Sequence, residues 1–198
     1  MANEYGSVDA LKKRLNIELS DTTRDDLLLS ALGAASRGVE RATGRRFWLD
    51  PAPVARVYNP RRRLVREVDG ELLLTDDIGD TTGMVVETGS GTSYTPVTDY
   101  ETWPENALAD GKPVTGLLRI FGIWAVPGMR IRITTRFGWP ADPDPVTEAS
   151  LIQAARLYRR KDSPEGVAAS SEWGVVRVSR RDPDVWNLIE PYILPGFG

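Results

Sequence analysis

The spacing of apolar residues changes twice along this chain, and those two changes limit the fold more than any single motif. Leu28, Leu32, Ala35, Val39 and Ala42 recur at intervals of three and four, which puts them on one stripe of an α-helix. Further on the interval falls to two: Met129, Ile131, Ile133 and Thr135 alternate with Arg130, Arg132, Thr134 and Arg136, a strand with one core face and one solvated or partner-facing side. Past "GWPADPDP" the helical interval returns, with Asp144 as cap, Pro145 at the first position, and Leu151, Ile152, Ala155 and Tyr158 on one face. Helix, then strand, then helix implies an α+β chain: a small helical bundle of N-terminal helices and a C-terminal helix, with an inserted antiparallel β subdomain and an extended C-terminal arm.

Local signals sharpen that outline. Ser7 can cap a short helix carrying Val8, Leu11 and Leu15, and "NIELSDTT" breaks it before a longer helix that starts near Asp21. Gly33, Ala34, Ala35, Ser36, Gly38 and Ala42 make the second half of that helix narrow enough for close packing, and Gly44 is placed to end it. From about 54 to 138, "VARVY", "LVREV", "ELLLT", "GMVVET", "SYTPV", "GLLRIF" and "MRIRITTRFG" are short β-rich segments separated by Gly, Asp and Pro turns. The expected parts are therefore an N-terminal helical part over 1–49, a β subdomain over 50–140, a helix over 141–160 that completes the bundle, and a C-terminal arm with a short helix over 161–198. That arm holds "KDSPEGVAASSEWGVVRVSRR", in which "WGVVRVS" reads as a strand or extended segment; Asp182 and Pro183 then open the last helix, where Trp186 is expected in the core.

Composition removes several functions. The chain has no cysteine and no histidine, which excludes disulfides, thiolate nucleophiles, Cys/His zinc sites and any Ser-His-Asp arrangement. Formal net charge is −3 over 198 residues, with basic and acidic residues nearly balanced in every part, so no polybasic arm for nucleic acid stands out. Its apolar runs fall far short of the roughly 20 residues needed to span a bilayer, and the N-terminus lacks an apolar core of signal-peptide length, so synthesis in the cytoplasm is expected.

Candidate chemistry mostly reduces to local structure. Asp25 with Asp26, Asp76 with Asp77, and Asp142 with Asp144 could be catalytic carboxylate pairs, but Asp favours caps and turns for its own hydrogen bonds. "ETGSGTSYT" lacks the lysine of a phosphate-binding loop and reads as a hairpin, and neither "TDDIGD" nor "DTTG" fits the twelve-residue calcium pattern, so neither metal nor cofactor is expected. Arg61, Arg62 and Arg63 read as a solvated turn after Pro60. Arg159, Arg160 and Lys161 close a helix C-terminus, where cations oppose the macrodipole, and with Arg177, Arg180 and Arg181 they make a localised basic arm suited to an acidic protein partner. Trp173, Tyr192, Leu194 and Phe197 place large apolar groups among glycines and prolines, as anchors for another subunit.

The order of these features resembles a known family. "SVDALKKRLNIELSDTTRDDLLLSALGAASRGVERATGRRF", followed by a β insertion ending "RITTRFGWPADPDPVTEASLIQAARLYRRKDSPEG", is similar to the head-tail connector proteins of long-tailed bacteriophages, also called head completion or head-to-tail adaptor proteins. The resemblance covers about 1–49 and 130–190; between them the match is only one of β-richness. It implies a virion protein, assembled from the host cytoplasm, that catalyses nothing. Copies would form a dodecameric ring beneath the portal protein at the DNA exit vertex, with genomic DNA passing through without sequence-specific binding. The ring would offer a platform to a stopper or tail-completion protein. Arg159, Arg160, Trp173, Arg177, Arg180 and Arg181 would contact portal or a neighbouring copy, with Tyr192, Leu194 and Phe197 as further anchors. The rival readings are a carboxylate-based glycoside hydrolase and another virion protein, such as a tail-completion protein.

Overall fold

The computed structural model describes residues 3–124, 127–160 and 182–194. It is a mixed α+β chain with four α-helices and a seven-stranded antiparallel sheet, and it divides into two units, Met1–Arg45 with Asp142–Gly198, and Arg46–Ala141. The arm expected at 161–181 lies outside the described residues.

The first unit is helical. Helix α1 (Val8–Leu15) starts where Ser7 accepts a hydrogen bond from the Ala10 N–H at 3.1 Å, satisfying one of the donors that a helix start leaves free. Helix α2 (Asp25–Thr43) begins four residues later than the sequence suggests. The reason is local: the Asp21 carboxylate accepts both the Thr23 N–H and its hydroxyl, which fixes a turn and holds that carboxyl below the usual carboxylate range. Gly44 ends α2 at φ 70°, the left-handed conformation that costs glycine least. Helix α3 (Asp144–Arg160) packs on α2, and α4 (Pro183–Ile189) packs on α3.

Leu11, Leu28, Leu32, Ala35, Leu151, Ala154, Ala155 and Tyr158 form the core of this unit. Between α2 and α3 the Ser36 and Ser150 hydroxyls lie 3.0 Å apart, and Ser36 also donates to the Leu32 carbonyl and accepts the Tyr5 N–H. Small residues therefore do permit close helix approach, at Ala35 and Ser36 of α2 and at Ser150, Ala154 and Ala155 of α3. Ala34 and Ala42, expected on the packed side, are exposed, and Thr43 takes the buried place at the helix end. A Cβ at Gly38 would meet nothing within 4 Å. Gly38→Ala should then stabilise the unit by about 0.5–1 kcal/mol, since only the entropy and helix-propensity cost of glycine is removed. Thermal denaturation of the two chains checks this. Trp186, expected in the core, is half-buried, and Ile189 one turn on is the buried residue of α4.

In the second unit the main path of strands runs β1 (Val54–Tyr58), β7 (Arg130–Phe137), β3 (Gly70–Ser90), β6 (Val114–Ile120), β5 (Glu101–Trp103), with β2 (Leu64–Arg66) and β4 (Ser93–Pro96) each paired to β3. The alternation read in β7 holds: Ile131, Ile133, Thr135 and Phe137 are buried and the intervening residues are not. Gly91 and Thr92 close the β3–β4 hairpin, with Gly91 at φ 59°. One expectation fails. "ELLLT" and "GMVVET" are not two strands with an acidic turn between them but one 21-residue strand, β3, whose register slips between Leu74 and Ile78, between Ile78 and Asp80, and again before Val85. Bulges absorb the Asp and Gly residues that read as a turn, and they let one strand pair with β2 and β6 at one end and with β4 and β7 at the other. Strand β5 is too short and too acidic to register as a strand in sequence. Leu73, Ile78, Val86, Val114, Leu117, Trp124, Ile131, Ile133 and Phe137 make the core.

Candidate partner-binding surface

Three groups of side chains could carry chemistry or contacts: the carboxylates, the C-terminal residues singled out in the sequence, and the arginines around β1.

The carboxylates are occupied structurally. Asp76 accepts Arg56 at 2.8 Å and Arg63 at 3.3 Å, Asp77 accepts the Trp139 indole N–H at 3.0 Å, and Asp25 pairs with the buried Lys12 at 2.6 Å. Burial alone pushes the Asp142 carboxyl up, with no neighbouring charge contributing. Among the described residues no cluster of three acidic groups is placed to hold a metal ion, and no helix is long and apolar enough to cross a membrane.

Arg159 and Arg160 are exposed at the end of α3. One turn earlier, Arg156 forms an ion pair with Asp182, so α3 and the start of α4 are tied across the residues between them. Tyr192 and Leu194 lie against the end of α2. The Tyr192 carbonyl accepts the Arg45 Nε–H at 2.9 Å, and the Leu194 N–H donates to the Thr43 carbonyl at 2.9 Å. Burial, then the charge of Asp144, pushes the Tyr192 hydroxyl up. Leu194 keeps 43% of its surface exposed beside Gly44, so it can both hold the chain to α2 and offer an apolar contact outward. Trp173, Arg177, Arg180, Arg181 and Phe197 lie outside the described residues.

The arginines around β1 come together in a way the sequence did not suggest. Arg56, Val57, Tyr58, Asn59, Arg61, Arg62, Arg63 and Asp76 line a cavity of about 690 Å³. The Asn59 side chain accepts the Arg61 N–H at 3.2 Å, and Arg62 takes φ 70°, so the backbone reverses and turns "RRR" back beside the strand. Arg63 and Arg56 reach the same Asp76, and Arg56 also lies 3.7 Å from Asp50, which Arg46 holds at 2.9 Å. Aromatic rings support the inner pair: Arg56 lies 4.0 Å over Phe137 and Arg63 lies 5.0 Å over Tyr58. Burial and the Asp76 charge push the Tyr58 hydroxyl well up, so it remains a neutral donor, 3.3 Å from Asp76. Arg61 and Arg62 are exposed and meet no carboxylate among the described residues. Four arginines and one aspartate thus line the cavity, and only Arg56 and Arg63 of the four pair with that carboxylate. The run "NPRRR" was visible in sequence, but its partners, Asp76 and Tyr58, belong to different strands and gave no local sign.

No protein-family model and no curated protein matches the sequence. Solved structures do share its fold. One chain of the neck of an empty GTA particle, computed with C6 symmetry, is 20% identical, with 96% of this chain and 91% of that chain covered at a TM-score of 0.58. A chain of the virion of a native gene transfer agent (GTA) particle is also 20% identical, with the same coverage of both chains and a TM-score of 0.56. At that identity the likeness is one of fold: helices interrupted by a β unit, end to end, is the architecture of a chain in those particles.

Proposed function

We propose that this chain is a structural protein of the neck of a phage-type particle, a head-tail adaptor that forms a ring beneath the portal and gives the stopper or tail-completion protein its platform. The observation that carries this reading is the fold shared over 96% of the chain with a protein of a GTA neck. The order of sequence features, which resembles head-tail connectors, agrees with it. The protein acts by geometry and performs no reaction: a cyclic ring of twelve copies presents a heterologous interface, each copy offering one face to a different face of its neighbour. DNA passes through the ring without being read. Arg159, Arg160, Trp173, Arg177, Arg180 and Arg181 contact portal or a neighbour, and Tyr192, Leu194 and Phe197 add apolar anchors.

Several properties support this assignment. Arg159 and Arg160 stand exposed at a helix end, and Leu194 offers apolar surface beside Gly44. Exposed charges steer association and contribute to specificity when a partner of opposite sign covers them. Arg159→Glu with Arg160→Glu, and separately Arg180→Glu with Arg181→Glu, should weaken binding to purified portal at least about tenfold while thermal unfolding stays unchanged. Electron microscopy of the mixture should show a coaxial ring with the original chain and none with the variants. Portal binding unaffected by both pairs would overturn the role given to these arginines, and a ring located away from the portal would overturn the adaptor reading.

A further inference from the structure

The cavity beside β1 lies next to a second unusual feature. Among the described residues strand β1 stands at one end of the sheet and pairs with β7, from Val54 with Thr135 to Tyr58 with Ile131. In an antiparallel pair, alternate residues direct their N–H and C=O groups away from the partner. Among the described residues no other strand pairs with β1 and no turn hydrogen bond uses its backbone. Among the described residues, then, nothing pairs with its outward edge. Along it Val54 is 44% and Val57 57% exposed, and at its end the chain turns into Arg61 and Arg62, whose charges no carboxylate among the described residues offsets.

We propose that the outward edge of β1 and the arginine pocket form one docking site, which takes up an extended acidic segment of another protein by strand addition. The edge supplies main-chain hydrogen bonds to a peptide in β conformation, Val54 and Val57 cover apolar, β-branched side chains of that peptide, and Arg61 and Arg62 receive carboxylates where it leaves the strand. Each part fits a peptide better than nucleic acid. A duplex offers phosphates to the arginines but no backbone groups to a strand edge, and it would leave the two valines against a charged, hydrated surface. The inner pair is held in position for this. Arg56 and Arg63 share Asp76 and are stacked on Phe137 and Tyr58, so the wall of the pocket is fixed, and the two outer arginines provide the unneutralised charge. The site lies wholly in the β unit and does not depend on the position of the protein in a neck.

The test uses a fluorescein-labelled peptide of four alternating valine and threonine residues followed by four glutamates, added to the full chain. Fluorescence anisotropy should give saturable binding in the micromolar range, and hydrogen exchange of the Val54–Tyr58 amides should slow on binding. Arg61→Glu with Arg62→Glu should weaken the affinity by about tenfold or more without loss of folded signal by circular dichroism, because both side chains are exposed and unpaired. A peptide with four lysines in place of the glutamates should not bind. The proposal is overturned by an absence of saturable binding, by binding that leaves the β1 amides exchanging at their free rate, or by a duplex oligonucleotide that binds more tightly than the acidic peptide.

Discussion

Trp124→Ala should lower the unfolding free energy of the β unit by about 3–5 kcal/mol, the range for removing a large aromatic from a packed core. Trp124 is 1% exposed, and its indole N–H donates to the Leu117 carbonyl at 3.1 Å. Its backbone N–H donates to the Glu71 carboxylate, so the residue joins β6, β3 and the loop after β6 at a single point. Tyr100 packs 6.3 Å from its ring centroid and the Arg119 guanidinium lies 5.5 Å over the ring. Deletion leaves a cavity and removes the indole hydrogen bond to Leu117 together, and these costs add. Trp124→Phe refills most of the volume and loses chiefly the indole hydrogen bond, so it should cost about 1–3 kcal/mol. Urea unfolding followed by circular dichroism measures both. Equal losses for Ala and Phe would mean that the hydrogen bond, not the packing, carries the effect.

The other large effect is expected at Gly138. There φ is 119°, and a Cβ would lie 2.2 Å from the Trp48 carbonyl oxygen and 2.9 Å from the Leu49 Cα, both backbone atoms. Neither can retreat easily. The Gly138 N–H donates to the Asp77 carbonyl at 2.8 Å, the Trp139 N–H to Phe47, and the Asp50 N–H to Phe137, so the two segments are fastened on either side of the contact. Gly138→Ala must break that fastening or strain it, at an expected cost of about 3 kcal/mol or more. Gly83 is the matched control: its φ is also positive, at 67°, but nothing lies within 4 Å of where a Cβ would be. Gly83→Ala should cost only about 1 kcal/mol, the conformational part alone. Denaturation midpoints for the two variants separate contact from conformation, and similar values would show that the close approach to Trp48 relaxes freely.

The same difference between local and distant causes separates the features legible in the sequence from those that are not. Ser7 as a cap and Gly44 as a stop depend on partners within four residues, and the alternation in β7 depends on the pleat of one strand. Asp21 also acts locally, but its bonds to Thr23 favour a turn over the helix start that its residue type suggests. The acidic, glycine-bearing centre of β3 looked like a turn because Asp and Gly favour turns on their own. There the pairing of β7 with the far end of the strand overrides the local preference.

From its sequence alone this protein is a helical unit with a β insertion, since the spacing of apolar residues and the caps are set by neighbours along the chain. The length of β3, the burial of Lys12 against Asp25, and the joining of Arg56, Arg63 and Asp76 beside β1 were settled only in three dimensions. Arg63 and Arg56 lie 13 and 20 positions from Asp76, and β3 pairs with a strand still further along the chain, so folding has to bring distant residues within a few ångströms. A charge shows in a sequence where it stands, but which opposite charge compensates it, and which is left to bind something else, is determined by the packing that closes the distance.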